Sequence, residues 1–410
     1  MIAEAGLQVI DTNRVLEGMM HIEKDVLSMG SAKVDLAKVE KIVFVAIGKC
    51  AAEAAAVAEA ALGNRITRGV VVDVKVCPIG LPQLKTFCGT HPLPSDENMN
   101  AAEAIVESLK GLTENDLVIF VISGGGSTLL FLPEDRRDRN EGPVVQALMQ
   151  AGATIKEMNI VRKHMSLARG GYLAQYAYPA RVVSFIFSDV VGDDLSSIAS
   201  GPTVKDLSTV EDAEKVLAKF DILHTCNIEK CGLVETPKDD KYFEKTTNIL
   251  AVSNVFALNA MRKAAESLGF RVEIRSATLE GEAVEVAHMV AESLHAAPPK
   301  SVLLWGGETT VTVKGTGNGG RNITISAAAL KYIKDGEEIL SLASDGRDHG
   351  PFAGAICDMI TKRDALRKGV DYETLLAEDN TYPLFETIGS YLMTGDTGSN
   401  VSDLIIALKE

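Results

Sequence analysis

The sequence predicts an α/β chain: parallel sheets covered on both faces by helices. Three observations carry this expectation. Short runs of β-branched and large apolar residues recur along the 410 residues and alternate with Ala-rich amphipathic segments. The runs are nearly continuous in apolar character, as strands buried on both faces require. Most of them end in Gly, Ser or Asp, residues that turn a chain away from a strand tip.

Taken in order, KIVFVAIGK leads into CAAEAAAVAEAAL, a strand, turn and helix. GVVVDVKV is a second strand, and DENMNAAEAIVESLKGL is a helix whose acidic start suits the helix dipole. DLVIFVIS, RVVSFIFSD and TNILAVSN are further strands, the last feeding the helix VFALNAMRKAAESLGF. RVEIRSAT with the helix GEAVEVAHMVAESLHAA follows, then the strands SVLLWGGE, TTVTVKG and ILSLASDG. At about 150 residues per domain the length implies two or three domains. The polar, weakly periodic stretch 207–246 places a boundary nearby, giving domains 1–235 and 236–410.

Composition narrows the function classes. With 46% hydrophobic and 24% charged residues the chain can bury a sizeable core. A formal net charge of −15 repels phosphate backbones, so a nucleic-acid partner is not expected. An anionic substrate would need a local basic pocket to overcome that field. The start, MIAEAGLQVIDTNRVLEGMM, lacks the pattern of a signal peptide, and no apolar run approaches a membrane span. A cytoplasmic protein without membrane partners is expected. Cys50, Cys77, Cys88, Cys226, Cys231 and Cys357 are expected as reduced thiols, since the C-x4-C pair has no second pair to complete a zinc site.

In a parallel sheet the carboxyl ends of the strands share one edge, and ligands bind outside it. The residues expected there are Gly48-Lys49, Ser123-Gly124-Gly125-Gly126-Ser127, Asp189 with Asp193 and Asp194, Asn254, Glu308 and the loop from Asp345 to His349. A Gly-Gly-Gly-Ser turn can aim several backbone N–H groups at an anion, although a tight turn without a ligand explains it too. Lys49 precedes a helix, where the dipole disfavours a cation unless an anion joins it. A Walker A loop is excluded: it needs Gly where Val43 stands and a hydroxyl residue where Cys50 stands. Clustered carboxylates at 189–194 suit Mg²⁺ or helix capping. Arg321, after Gly319-Gly320, offers a planar fork to a carboxylate or phosphate. No His spacing suits a zinc hydrolase.

Eight stretches in order resemble the class II glycerate kinases, the glycerate 2-kinase family with its MOFRL carboxy-terminal domain. They are AIGKCA, GTHPLPSDENMNAA, VISGGGSTLL, NIVRKHMSLARGGYLA, SDVVGDDLSSIASGPTV, GGETTVTVKGTGNGGRN, SDGRDHGPFAGAICD and TGDTGSNVSDLIIAL, covering most of the chain from about residue 40 onward. The resemblance implies ATP-dependent phosphorylation of D-glycerate at its 2-hydroxyl, with Mg²⁺ or another divalent metal. It implies two α/β domains, the larger a Rossmann-like parallel sheet sandwiched by helices, with the active site in the cleft between them, and a possible homodimer. Lys49 and Arg321 match the family's essential lysine and arginine. The chain departs from the family pattern at Ile323, His349, Asp396 and Ser399.

The expected roles follow. Ser123 to Ser127, with Asn254, bind nucleotide or another anion. Lys49 and Arg321 neutralise charge. Asp189, with Asp193 and Glu308, holds the metal or, at Asp189, accepts the substrate proton. Two rivals stand beside this reading: an oxidoreductase acting on hydroxypyruvate, and a sugar-acid sensor without catalysis. The first needs G-x-G-x-x-G, and position 129 is Leu.

Overall fold

The structure, a computed structural model, describes residues 1–76, 80–229 and 231–410. It divides into two compact units. The N-terminal unit takes residues 15–188 and 193–251, and the C-terminal unit takes 252–410 with 1–14 and 189–192. The changeover therefore falls at 251/252, at the end of a strand, and not near 236. The polar stretch that pointed to 236 is a solvated part of the first unit: within it Val210–Lys219 forms a helix closed by a Thr209–Asp212 capping box.

The N-terminal unit opens with a small antiparallel sheet of β1 (Met20–Glu23), β2 (Val26–Met29) and β3 (Ala32–Asp35). Its main sheet holds β4 (Ile42–Ile47), β5 (Ile66–Asp73), β6 (Leu84–Cys88), β7 (Leu117–Ile122), β8 (Arg181–Phe187) and β9 (Thr246–Val252), in the order β6-β5-β4-β7-β8-β9. The strands from β6 to β8 pair in parallel. β4 and β7 are buried at every position, which is why both read as unbroken apolar runs. Helix Ala51–Leu62 buries Ala51, Ala54, Ala55 and Ala58, small residues that let it lie close to the sheet. After β4 the chain builds outward on one side through β5 and β6, then returns to place β7 and β8 on the other. The order thus reverses between β4 and β7, the switch point where open α/β sheets leave a crevice.

The C-terminal unit carries β10 (Arg271–Leu279), β11 (Ser301–Gly307), β12 (Glu337–Ala343), β13 (Gly354–Asp358), β14 (Tyr391–Leu392) and β15 (Asp403–Lys409), in the order β10-β11-β15-β12-β13-β14. This sheet is mixed, which corrects the expectation of parallel sheets throughout. Only β10 and β11 pair in parallel; β15 runs antiparallel to both β11 and β12. Since β11 and β12 oppose the same strand, they point the same way, and their carboxyl ends still share an edge. A second correction concerns TTVTVKG. It forms no strand and makes only an isolated bridge from Thr310 to Glu282. Its amides turn to carboxylates instead: Thr312 N donates to Glu282 at 3.0 Å and Gly315 N to Asp379 at 2.7 Å.

Cys50 and Cys357 are buried, Cys88 is exposed, Cys226 and Cys231 are half-buried, and none of these forms a disulfide. Cys77 lies outside the described residues. Among the described residues no helix is long and apolar enough to cross a membrane.

β5 reaches its place beside β4 through a bulge at Thr67, whose hydroxyl accepts Ile42 N at 3.1 Å. Two residues on, a Cβ at Gly69 would lie 2.0 Å from Phe44 O and 2.6 Å from Leu84 Cδ2. Gly69→Ala is expected to destabilise the protein by about 1–3 kcal/mol through overpacking. Urea denaturation checks this, and an unchanged midpoint would mean the sheet yields there at no cost.

Candidate functional site

The β4 and β7 tips are stitched together at the switch point. Ser123 N donates to Ile47 O at 2.9 Å, Lys49 N to Gly124 O at 3.0 Å and Cys50 N to Ser123 Oγ at 3.3 Å. Gly48, at φ +116°, makes this approach possible: a Cβ there would sit 2.2 Å from Ser123 Oγ and 2.7 Å from Ser123 O. Gly125, at φ +82°, turns the chain into the short helix Gly126–Leu129. Gly124, Gly125 and Ser127 keep their backbone N–H groups without a hydrogen-bond partner among the described residues.

The residues of this turn separate into two kinds. Ser123 is buried and its hydroxyl is committed to the strand tips. Ser127 Oγ pairs with Ser200 Oγ at 2.9 Å, and Ser200 Oγ donates to Asn159 at 3.2 Å. The glycines present the open amides. Lys49 is exposed, and its side-chain ammonium has no hydrogen bond or ion pair among the described residues. Its stem lies over Gly125: a Cβ there would come 3.5 Å from Lys49 Cγ and 3.6 Å from Lys49 Cε.

Lys49 stands at the start of helix Ala51–Leu62, which takes no side-chain cap from Cys50. The cap comes from β5. Asp73, fully buried, accepts Ala52 N at 3.0 Å through one oxygen and Val74 N at 2.6 Å through the other. A carboxylate there offsets the positive end of the helix dipole next to the lysine.

The loop after β8 holds three aspartates. Asp194 is a cap: its carboxylate accepts Ser196 N, Ser196 Oγ and Ser197 Oγ at 3.0, 3.0 and 2.7 Å. Asp193, at φ +55°, is half-buried and has no partner among the described residues. Asp189 belongs with the C-terminal unit, where its carbonyl accepts Ser402 Oγ at 3.1 Å. Asn254 also belongs to that unit and so to a different one from the glycine turn. Its amide is buried and donates to Ala277 O at 2.8 Å, tying helix Asn254–Ser267 to β10.

In the C-terminal unit the chemistry gathers around the first residue of β15. Asp403 pairs across the sheet with Gly307 at the end of β11 and with Ala343 at the end of β12. The antiparallel strand thus delivers its amino end to the edge where its neighbours deliver their carboxyl ends. Asp403 is buried and accepts Arg321 Nε at 2.8–2.9 Å, Asn322 Nδ2 at 2.7 Å and Thr309 N at 3.2 Å. Arg321 Nη1 reaches Glu308 Oε1 at 2.7 Å. Burial alone would lower the Arg321 pKa; Asp403 and Glu308 outweigh it and hold the guanidinium above its ordinary value.

Arg321 opens helix Arg321–Ala329, so this cation too stands against a helix dipole. Asp348 caps that helix by accepting Ile323 N at 2.8 Å. Burial pushes the Asp348 carboxyl above its ordinary pKa; the hydrogen bonds from Ile323 and Asn322 work against that shift and the Asp403 charge works with it. Asn322 Oδ1 accepts Ser341 Oγ at 2.6 Å, locking the amide that both aspartates use. A pocket of about 670 Å³ opens over this network, lined by Glu308, Arg321, Asp345, Arg347, Asp348, His349, Asn400 and Ser402 among others.

Asp403, Asn322 and Asp73 were not singled out in the sequence, whereas Asp348 lies in the loop expected at the strand edge. Asp403 begins an apolar run, whereas the strand-tip rule searches only the residues that end one. Asp73 closes the run GVVVD and reads as an ordinary turn residue.

A profile described as a domain of unknown function, DUF4147, matches residues 1–230, and the MOFRL family matches residues 301–403. A glycerate 2-kinase of Pyrococcus horikoshii is 38% identical over 389 residues, spanning 90% of this chain and 87% of the relative. The chain belongs to the glycerate 2-kinase family. Another relative, the D-glycerate 2-kinase of Thermotoga maritima, is 37% identical over 90% of this chain and 91% of its own. A putative hydroxypyruvate reductase of Agrobacterium vitis is 36% identical over 89% and 86%. Among solved structures, a Thermotoga maritima glycerate kinase superposes with a TM-score of 0.86 at 32% identity, over 100% of this chain and 98% of that one.

The Asp403 network gives this glycerate 2-kinase relative a testable weak point. Asp403→Ala removes one partner of a largely buried ion pair and strands Asn322 and Thr309. We expect a loss of about 3 kcal/mol or more in urea denaturation, and a smaller one for Asp403→Asn, which keeps an acceptor. Equal midpoints for wild type and Asp403→Ala would show that Arg321 finds another anchor.

Proposed function

We propose that this chain transfers the γ-phosphoryl group of ATP to the 2-hydroxyl of D-glycerate, giving 2-phospho-D-glycerate and ADP. In this step the hydroxyl oxygen forms a bond to phosphorus, the bond to the ADP oxygen breaks, and the hydroxyl proton leaves to a carboxylate. The observation that carries the proposal is Lys49. Among the described residues it is an unpaired cation over a glycine turn with open amides, at the switch point of a parallel sheet, in a chain whose relatives are named glycerate 2-kinases.

Phosphoryl transfer asks a protein chiefly for positioning and charge neutralisation. In the N-terminal unit the amides of Gly124, Gly125 and Ser127 and the Lys49 ammonium would hold an oxyanion, a phosphate or the glycerate carboxylate. In the C-terminal unit Arg321 presents a guanidinium whose plane is fixed by Asp403 and Glu308. Asp189 would either accept the proton or hold the metal.

The donor types fit a magnesium ion. Mg²⁺ takes one or two carboxylates and completes its shell with nucleotide oxygens and water. Asp189 and Glu308 in the C-terminal unit offer such oxygens, as does Asp193 in the N-terminal unit; Glu308 gives one of its own to Arg321. Among the described residues no three His, Cys, Asp or Glu side chains gather into a closed cage. When bound, the ion supplies positive charge to the phosphate oxygens.

The name hydroxypyruvate reductase on one relative raises an alternative, and a single experiment separates the two. ADP release should require both ATP and D-glycerate, and phosphorus NMR should place the new phosphate on the 2-oxygen. Oxidation of NAD(P)H by hydroxypyruvate in place of ADP release would replace the kinase reading. Lys49→Ala and Arg321→Ala should each lower kcat by roughly 10²–10³-fold, as expected for loss of one group aimed at developing charge. Lys49 is exposed, so the melting temperature of its variant should hold. Near-normal turnover in either variant removes that residue from the mechanism.

A further inference from the structure

The glycine turn has a second basic neighbour that no role above uses. A Cβ built on Gly125 would come 3.4 Å from His91 Cδ2 and 3.5 Å from Lys49 Cγ, so the imidazole and the lysine stem flank the same glycine. The segment that carries His91 is anchored to the turn. Asn98, fully buried, donates through Nδ2 to Thr90 O at 2.9 Å and to Thr128 O at 3.0 Å, while Thr128 Oγ1 donates to Pro92 O at 3.2 Å. His91 itself is exposed, and neither ring nitrogen has a hydrogen-bond partner among the described residues.

Behind the turn lies an excess of positive charge. Arg162 Nη2 donates to Thr128 Oγ1 at 3.1 Å and Arg162 Nε to Glu141 at 3.2 Å. Arg169, fully buried, takes the same Glu141 at 2.9–3.0 Å. Two guanidiniums thus share one buried carboxylate. Burial pulls the Arg169 pKa down to about 10 despite Glu141, which leaves it charged at neutral pH. An oxyanion at the turn would balance what Glu141 leaves over.

We propose that His91 is a further substrate-contacting residue, giving one imidazole N–H to the oxyanion held by the glycine turn and Lys49. The inference rests on the reading of that turn as an oxyanion site, and the oxyanion is either a nucleotide phosphate or the glycerate carboxylate. The charged groups facing His91 are Lys49 and Arg162. Partial burial of the ring first, and then these two cations, hold its pKa below the ordinary value, which favours the neutral imidazole with its single N–H. An arriving oxyanion offsets Lys49 and reverses the balance. The His91 pKa therefore rises on binding, and binding takes up a proton in the window between the free and bound values.

Imidazole NMR of the full-length wild-type chain tests this in two arms, with saturating D-glycerate or saturating ADP. In the arm whose ligand fills the turn, the His91 titration midpoint should rise by about one unit. His91→Gln should raise KM for the matching substrate roughly tenfold, the effect of losing a hydrogen bond to a charged group, and leave the other KM near wild type. A merely structural His91 would move the melting temperature and neither of these. An unmoved midpoint in both arms, or two unchanged KM values, overturns the inference. If Lys49→Ala is inactive while His91 is silent, only the His91 assignment fails; if Lys49→Ala is fully active, the oxyanion site itself fails.

Discussion

Both cations that this account relies on stand where a helix dipole opposes them, and in each case a buried aspartate from elsewhere in the fold makes that position tenable. Lys49 precedes helix Ala51–Leu62, and Asp73 reaches over from β5 to cap its N-terminus. Arg321 opens helix Arg321–Ala329, with Asp348 capping the helix and Asp403 gripping the guanidinium. The two solutions differ in a way that matters. Arg321 is fixed in plane by two carboxylates, whereas Lys49 has its helix end satisfied and its own ammonium left unpaired among the described residues. One cation is aimed by its partners, and the other is left open to solvent.

Strand direction explains why these groups sit where they do. In the N-terminal unit β4, β5, β7 and β8 run the same way, so the turns carrying Lys49, Asp73, the glycines and the aspartate loop share an edge. In the C-terminal unit the edge is shared by β10, β11 and β12, and the reversed β15 adds Asp403 to it from its amino end. That reversal sets the limit of what the sequence could reveal. The unbroken apolar runs IVFVAI and LVIFVI betray doubly covered strands, and the glycines after them betray close backbone approach. Nothing local betrays direction, so Asp403 could not be told from a turn residue. The strands β1 to β3, four residues each, are too short to show a period. TTVTVKG alternates like a strand, yet Val313 points to solvent and the amides go to carboxylates. The compact units change over at 251/252, beyond the polar stretch, because polarity marks solvent exposure, which a surface helix has as much as a linker does.

Charge sets the scale of the ligand. The whole chain carries −15, while the glycine turn is backed by Arg162 and Arg169 sharing Glu141 and fronted by Lys49. A small anion at this cluster would feel the nearby cations more than the distant acidic surface, since partly buried charges are screened less than exposed ones. A long polyanion would meet the acidic surface along its whole length.

The most direct measurement is a crystal structure of this chain grown with ADP and D-glycerate. The account predicts an oxyanion within hydrogen-bond distance, about 3 Å, of Lys49 Nζ and of the Gly124, Gly125 and Ser127 amides. Both ligands bound with the glycine turn empty and Lys49 facing solvent would contradict it.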